Sequence, residues 1–217
     1  MSLLNKLRCA MTMGQGLALP EHSPQENDQP YQLFQKWFHD AQDSGIILPE
    51  SMTLATVSAD GQPSARIVLL KDVTEDGFTF YTNYESRKGE ELEQNPKVAL
   101  VFHWNILQRQ VRIEGTVERV SRETSDRYFQ SRLRGSRIGA WASHQSRPLS
   151  SREELEQREA EFAKQFAGGD VPRPPYWGGY LVRPHAIEFW QGKASRLHDR
   201  IRFERVGENW QPQRLNP

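Results

Sequence analysis

The sequence predicts a mainly β domain in which antiparallel strands form a barrel and helices pack outside it. Two observations carry this. About six or seven β-rich runs recur at hairpin-like spacing, separated by Gly, Pro, Asn and Asp turns. Helical periodicity falls at the periphery of that series, without the regular strand–helix–strand alternation of a parallel sheet. The 217 residues fit one ordinary domain with an appendage. We expect residues 1–30 to be a flexible N-terminal arm, because "PEHSPQENDQP" is polar and proline-punctuated, and residues 31–217 to be the folded domain.

From Tyr31, "YQLFQKWFHDAQDSG" spaces Leu33, Phe34, Trp37 and Phe38 as one helical stripe and stops near Gly45, a C-cap residue type. "MTLATVS" and "SARIVLLK" flank an Asp-Gly loop and predict a hairpin of open turn type. "FTFYTN" predicts another strand. The charged "ESRKGEELEQNP" suits a short helix that ends before Pro96. "KVALVFHW" and "RQVRIEGTVERV" read as strands, and in the second Val111, Ile113, Gly115 and Val117 alternate with polar residues, giving one core face. A helix is expected from about Arg122 to Arg132, with a loop after it. Another opens at "SSREELEQREAEFAKQF", where Ser150 with Glu153, or Ser151 with Glu154, suits a capping box. "YLVRPHAIEFWQ", "RLHDRIRFERV" and "WQPQRLNP" return to strand content.

Composition narrows the function. The 28 basic and 28 acidic side chains cancel, which argues against a nucleic-acid binder and confines any anion site to local clusters. One cysteine, Cys9, excludes an intramolecular disulfide and suits a reducing compartment. No signal-like or membrane-spanning apolar run occurs, so a cytoplasmic protein is expected. GxGxxG after a strand, the Walker loop, HExxH and CxxC are all missing, and the six histidines show no ligand-like pairing, so no metal is expected.

Four segments remain that suit chemistry. "RIVLLK" carries Arg66 and Lys71, and strict alternation would put them on opposite faces unless the strand bends, ends or uses both faces. "YTNYESRK" brings Ser86, Arg87 and Lys88 to a helix start, which suits a phosphate. Taken alone, that segment reads equally well as a solvated basic patch beside "EELE". "RYFQSRLRGSRIGAWASHQS" adds Tyr128, Arg132, Ser136, Gln145 and Ser146. In "FWQGKASRLHDR", Arg196, His198 and Arg200 occupy every second position and would share one strand face, with Trp190 behind them if the strand is unbroken. Like charge on that face should disfavour an imidazolium, leaving a neutral imidazole between cations that await an anionic or electron-rich partner.

These residues resemble a known family. "RIVLLK", "FYTNYESRK", "QRQVRIEG", "SRIGAWASHQS", "PPYWGGY", "IEFWQGKASRLHDR" and "RLNP" are similar, in order, to the motifs of the pyridoxine (pyridoxamine) 5'-phosphate oxidases. The resemblance implies an FMN-binding split β-barrel of antiparallel Greek-key type, assembled as a homodimer with FMN at the interface. It implies oxidation of pyridoxine 5'-phosphate or pyridoxamine 5'-phosphate to pyridoxal 5'-phosphate, with dioxygen reduced to hydrogen peroxide and ammonia released from the amine. By the same resemblance FMN would be held by Arg66, Ile67, Val68, Leu69, Leu70, Lys71, Tyr81, Thr82, Arg87, Lys88, Gln110, Gln145, Ser146, Trp190 and Arg200. The substrate would meet Lys71, Tyr128, Arg132 and Ser136 through its phosphate, and Arg196, Leu197 and His198 over the flavin, with Arg196 and His198 catalytic. The family's N-terminal Arg-x-x-Tyr is not kept, since Met11 stands where the tyrosine would follow Arg8. The alternatives are a split-barrel FMN oxidoreductase with another substrate, which would form no pyridoxal 5'-phosphate, and a pyridoxal phosphate or flavin carrier that binds without turnover.

Overall fold

A computed structural model of the protein describes residues 23–217. Arg8, Cys9 and Met11, with most of the expected arm, lie outside the described residues. Residues 23–29 make a turn, closed where Gln25 N–H donates to the Asp28 carboxylate at 2.8 Å.

Helix α1 (Pro30–Asp43) starts on a proline, whose missing N–H costs nothing in a first turn. It buries Leu33, Phe34, Trp37 and Ala41. The Phe34 ring meets Phe78 edge-on at 4.9 Å and Phe102 at 5.0 Å, so α1 supplies apolar side chains to the interior of the curled sheet. Gly45, just past its end, has φ +74°.

Nine strands follow: β1 (Ser51–Val57), β2 (Pro63–Leu69), β3 (Asp72–Thr74), β4 (Gly77–Asn83), β5 (Lys97–Trp104), β6 (Arg109–Arg119), β7 (Trp177–Gln191), β8 (Asp199–Val206) and β9 (Asn209–Arg214). All pair antiparallel in the order β2-β1-β5-β6-β7-β4-β3, with β8 on β7 and β9 on β8. The β1–β2 loop turns on Gly61 at φ +87°. β1 pairs with β5 across the intervening β3–β4 hairpin, in Greek-key manner. The strands exceed the expected six or seven in part because β3 is too short to show a period; β9, read from "WQPQRLNP", tolerates Pro212 as an edge strand paired only with β8. Among the described residues no ladder joins β2 to β3 or β4, so the barrel is split rather than closed.

β7 organises the molecule. Along one side it pairs with β6 over residues 180–191; along the other it pairs first with β4 (177–182) and then with β8 (186–191). The β6 register shifts between Glu114 and Gly115, where a Cβ on Gly115 would lie 2.3 Å from the Arg183 carbonyl oxygen.

The outer helices are α2 (Arg87–Gln94), α3 (Arg122–Ser131), α4 (Arg134–Ala142) and α5 (Arg152–Gln165). α4 replaces the expected loop after α3. At α5, Ser151 Oγ accepts from Glu154 N–H, while the Glu154 carboxylate accepts from Ser150 N–H, each at 3.3 Å, so the capping is shared between two serines. A second apolar cluster of Phe129, Ile138, Val171 and Trp177 joins α3 and α4 to the start of β7. No helix among the described residues is long and apolar enough to cross a membrane.

Candidate functional site

The end of β2, strand β4, the start of α2, helix α3 and the start of β7 converge on a cleft of about 350 Å³. Its lining includes Ile67, Val68, Leu69, Lys71, Tyr81, Thr82, Asn83, Lys88, Tyr128, Arg132, Gln145 and Trp177. A recess of about 280 Å³ adjoins it, shares Asn83, Arg132, Gln145 and Trp177, and adds Ser136. β2 ends at Leu69, which frees Lys71 from strict alternation and resolves the geometry left open by the sequence. Leu70 turns into the core and is 5% exposed. Lys71 stays exposed, its N–H donating to the Thr79 carbonyl at 2.8 Å.

At the start of α2 the Ser86 side chain caps the helix by accepting from Gly89 N–H. Lys88 is 9% exposed, and its Nζ donates to Gln145 Oε1 at 2.8 Å and to Thr82 Oγ1 and Ser86 Oγ at 3.2 Å. These acceptors are neutral. Burial, reinforced by the nearby Arg66 and opposed by Glu91, pulls the Lys88 pKa down to about 8.

Beside it stands a carboxylate that sequence reasoning passed over. Glu91 accepts from Thr56 Oγ1 at 2.5 Å, Ser64 Oγ at 2.7 Å, Arg87 Nε at 2.8 Å and Arg66 Nη2 at 3.1 Å. Burial alone would raise its pKa, but these four donors outweigh it and bring the pKa down to about 2. Arg66 and Arg87, expected as ligand cations, are thus both tied to Glu91. A signal was present: Glu91 lies three residues after Lys88 and four after Arg87, on the inward side of α2.

The third group is aromatic. Tyr81 stacks on Tyr128 at 3.9 Å and on Trp177 at 5.5 Å, with interplanar angles of 16° and 12°. Burial pushes the pKa of both tyrosines up, so the hydroxyls stay protonated as donors. The Arg132 guanidinium lies 4.7 Å from the Trp177 ring centroid, and its Nη1 is buried with no hydrogen-bond partner. Among the described residues, no carboxylate stands within ion-pair distance of Lys71, Lys88 or Arg132. Ser146, in the loop after α4, is exposed at φ +71°.

The remaining expected residues gather at the other end of β7. Gln110, Trp190 and Arg200 are direct cross-strand neighbours on β6, β7 and β8. Arg200 donates to the buried Glu188 at 2.7 Å and 2.9 Å and to the Asn216 carbonyl at 2.9 Å. The shared strand face expected for Arg196, His198 and Arg200 is corrected here. β8 begins only at Asp199, and the chain before it turns through a short 3-10 segment, with Ser195 at φ +57° and Arg196 at φ +62°. Arg196 and Leu197 are exposed on that turn. His198 packs against Trp190 at 4.5 Å, so their proximity comes from the β7–β8 connection folding back. Lys193 N–H donates to His198 Nδ1 at 3.1 Å, which leaves the ring proton of a neutral imidazole on Nε2.

Trp177 and Trp190 are thirteen positions apart on one strand, about 40 Å of extended chain. The cleft and the Arg196–His198 turn therefore lie towards opposite ends of β7, and no residue of that turn is among those lining the cleft. The cleft itself fits a phosphorylated planar cofactor: it combines uncompensated cations, hydroxyl and amide donors, and an orphaned guanidinium nitrogen.

Residues 38–165 match the family model described as pyridoxamine 5'-phosphate oxidase, and residues 177–217 match one described as the pyridoxine 5'-phosphate oxidase C-terminal dimerisation region. Two curated relatives, both named pyridoxine/pyridoxamine 5'-phosphate oxidase, align over 100% of each chain: that of Colwellia psychrerythraea at 57% identity and that of Psychromonas ingrahamii at 56%. The crystal structure of PhzG from Burkholderia lata, in complex with tetrahydrophenazine-1-carboxylic acid, covers 92% of this chain and 100% of its own, with TM-score 0.86 and 31% identity. A related FMN-binding protein from Nostoc punctiforme, at 17% identity and TM-score 0.71, covers 88% of this chain and 100% of its own and shares the fold. With both ends of the domain matched and full-length relatives above half identity, the chain belongs to the pyridoxine/pyridoxamine 5'-phosphate oxidase family, oxidoreductases built on the split barrel.

Proposed function

We propose that the protein is an FMN-dependent homodimeric oxidase that converts pyridoxine 5'-phosphate and pyridoxamine 5'-phosphate to pyridoxal 5'-phosphate. The observation that carries this reading is the set of three cations, Lys71, Lys88 and Arg132, in one cleft without carboxylate partners and beside a tyrosine–tryptophan stack. Such a cleft suits phosphate-bearing aromatic ligands and is poorly suited to a neutral one. FMN, when bound, would supply a two-electron acceptor for hydride from the substrate C4' carbon, with dioxygen as the final oxidant and hydrogen peroxide as its product.

The chain's own residues would do the binding and orienting. Lys88, with Thr82, Gln145 and the α2 start, takes the cofactor phosphate, and Glu91 holds Arg66 and Arg87 close by. Val68 to Lys71 and Tyr81 line the cofactor. Lys71, Tyr128, Arg132 and Ser136 take the substrate phosphate, fixing C4' in place and removing much of the entropic barrier. Because Arg196 and His198 sit at the far end of β7, they would act in the cleft of the second copy, together with Gln110, Trp190, Leu197 and Arg200. The dimerisation-region match over residues 177–217 supports that assembly. There His198 would orient the substrate through a hydrogen bond from its Nε2–H to the exocyclic oxygen or nitrogen, whose own proton would leave to water as the hydride leaves C4', and Arg196 would offset negative charge. With the amine substrate, hydrolysis of the oxidised C4'–N bond releases ammonia.

PhzG, a relative whose crystal structure holds an unphosphorylated carboxylic acid, favours a second reading: an oxidase of the same build acting on another molecule. One experiment separates the two. The purified protein should be yellow, bleach anaerobically with pyridoxine 5'-phosphate, and form pyridoxal 5'-phosphate with oxygen uptake. A yellow protein that stays unbleached and forms no product would overturn the proposed activity and leave an oxidase with another substrate, or a flavin carrier without turnover.

A further inference from the structure

Trp177 belongs to none of the expected ligand contacts, yet it lines both the main cleft and its recess. Its backbone is fixed from two directions, the N–H donating to the Pro174 carbonyl at 3.1 Å and the carbonyl accepting from Arg173 Nη1 at 2.5 Å. Its ring is 7% exposed and lies nearly parallel to Tyr128, with centroids 6.2 Å apart at 4°. Arg132 rests over that ring at 4.7 Å and over the Phe129 ring at 5.5 Å.

We propose that Trp177 is a positioning residue for anion recognition, holding the Arg132 guanidinium by its ring face so that the hydrogen-bonding edge stays free for a phosphate. The physical point is one of competition. A carboxylate would orient an arginine through the same N–H groups that a phosphate needs, and would have to be displaced. An aromatic face attracts the cation through its quadrupole and uses no donor. The buried, partnerless Nη1 is what such an arrangement leaves ready for an incoming oxygen.

This rests on the proposed substrate phosphate site, and its test is separable from that reading. The dissociation constant of inorganic phosphate from the purified holoprotein is measured by calorimetry, and KM and kcat for pyridoxine 5'-phosphate by product absorbance. W177L should weaken phosphate binding about tenfold and raise KM by a similar factor, with kcat changed by less than about twofold. W177F keeps a ring and most of the volume, so it should fold where W177L does not, and should lose about threefold. In an R132M background, W177F should add nothing further. Unchanged phosphate affinity and KM in W177F, or an additive loss in the double variant, would overturn the role. Absence of turnover in the wild type would count against the proposed substrate, while the phosphate titration would still decide the role of Trp177.

Discussion

Lys88 and Glu91 sit side by side on α2 and titrate in opposite senses. The Lys88 pKa falls from 10.5 to about 8, so between those values the unfolded chain binds a proton that the fold does not. Its contribution to stability therefore rises with pH across that window. A bound phosphate reverses the preference by favouring the charged amine. FMN affinity should be level between about pH 7 and 8 and weaken by up to tenfold per pH unit above that, followed by flavin fluorescence. Affinity that stays level to pH 10 would remove Lys88 from the phosphate site. Glu91 has its pKa lowered from 4.5 to about 2, so its contribution is complete above 4.5 and is lost as pH falls towards 2. E91Q should cost about 3 kcal/mol at pH 7 in urea denaturation, because glutamine keeps one accepting oxygen but removes the negative charge and second oxygen on which Arg66, Arg87, Thr56 and Ser64 converge. The deficit should shrink as the wild type is acidified towards pH 2. Residue types made Lys88 legible in the sequence, but not the carboxylate that organises its neighbours, since "EELE" looks equally like a solvated face.

At the scale of elements, long periods were read well and short ones poorly. The alternation in β6 runs over eleven residues and matches the observed inward set Val111, Ile113 and Gly115. α1 announced itself through four large apolar residues on one stripe, three of which are buried. Helix α4 was missed because Gly135 and Gly139 within nine residues lower its intrinsic propensity; packing of Ile138 and Ala142 compensates. The five-residue alternation of Arg196 to Arg200 was misleading because left-handed backbone at Ser195 and Arg196 turns the chain before β8 can start. The α2 start shows how narrowly such an element is specified: a Cβ on Gly89 would lie 2.1 Å from the Tyr84 carbonyl oxygen. G89A should destabilise the protein by about 1–3 kcal/mol and weaken FMN binding with it, measured by thermal unfolding with and without added FMN. An unchanged melting temperature would mean that the turn before α2 has room to relax.

For the molecule as a whole, the decisive feature is that one strand carries a cleft at its start and the Arg196–His198 turn at its end. No reading of local patterns conveys this, because both groups lie in segments similar in kind and only the sheet topology separates them. A two-chain site predicts complementation. R132M and H198N homodimers should each lose most of their kcat/KM, whereas chains mixed, unfolded and refolded together should regain about a quarter of wild-type activity, since half the dimers are mixed and each has one intact site. Recovery no greater than the average of the two parents would show that each chain completes its own site.

β7 also bears on how the protein comes into being. Phe80 on β4 pairs with Tyr180 on β7, about 100 positions later, and β6 finds its second neighbour only in the same strand. During synthesis the free edges of β4 and β6 must therefore wait until some 190 residues have left the ribosome before their partner exists. Until then the nascent chain is a set of unclosed edges, and chaperone demand should end abruptly once that strand emerges.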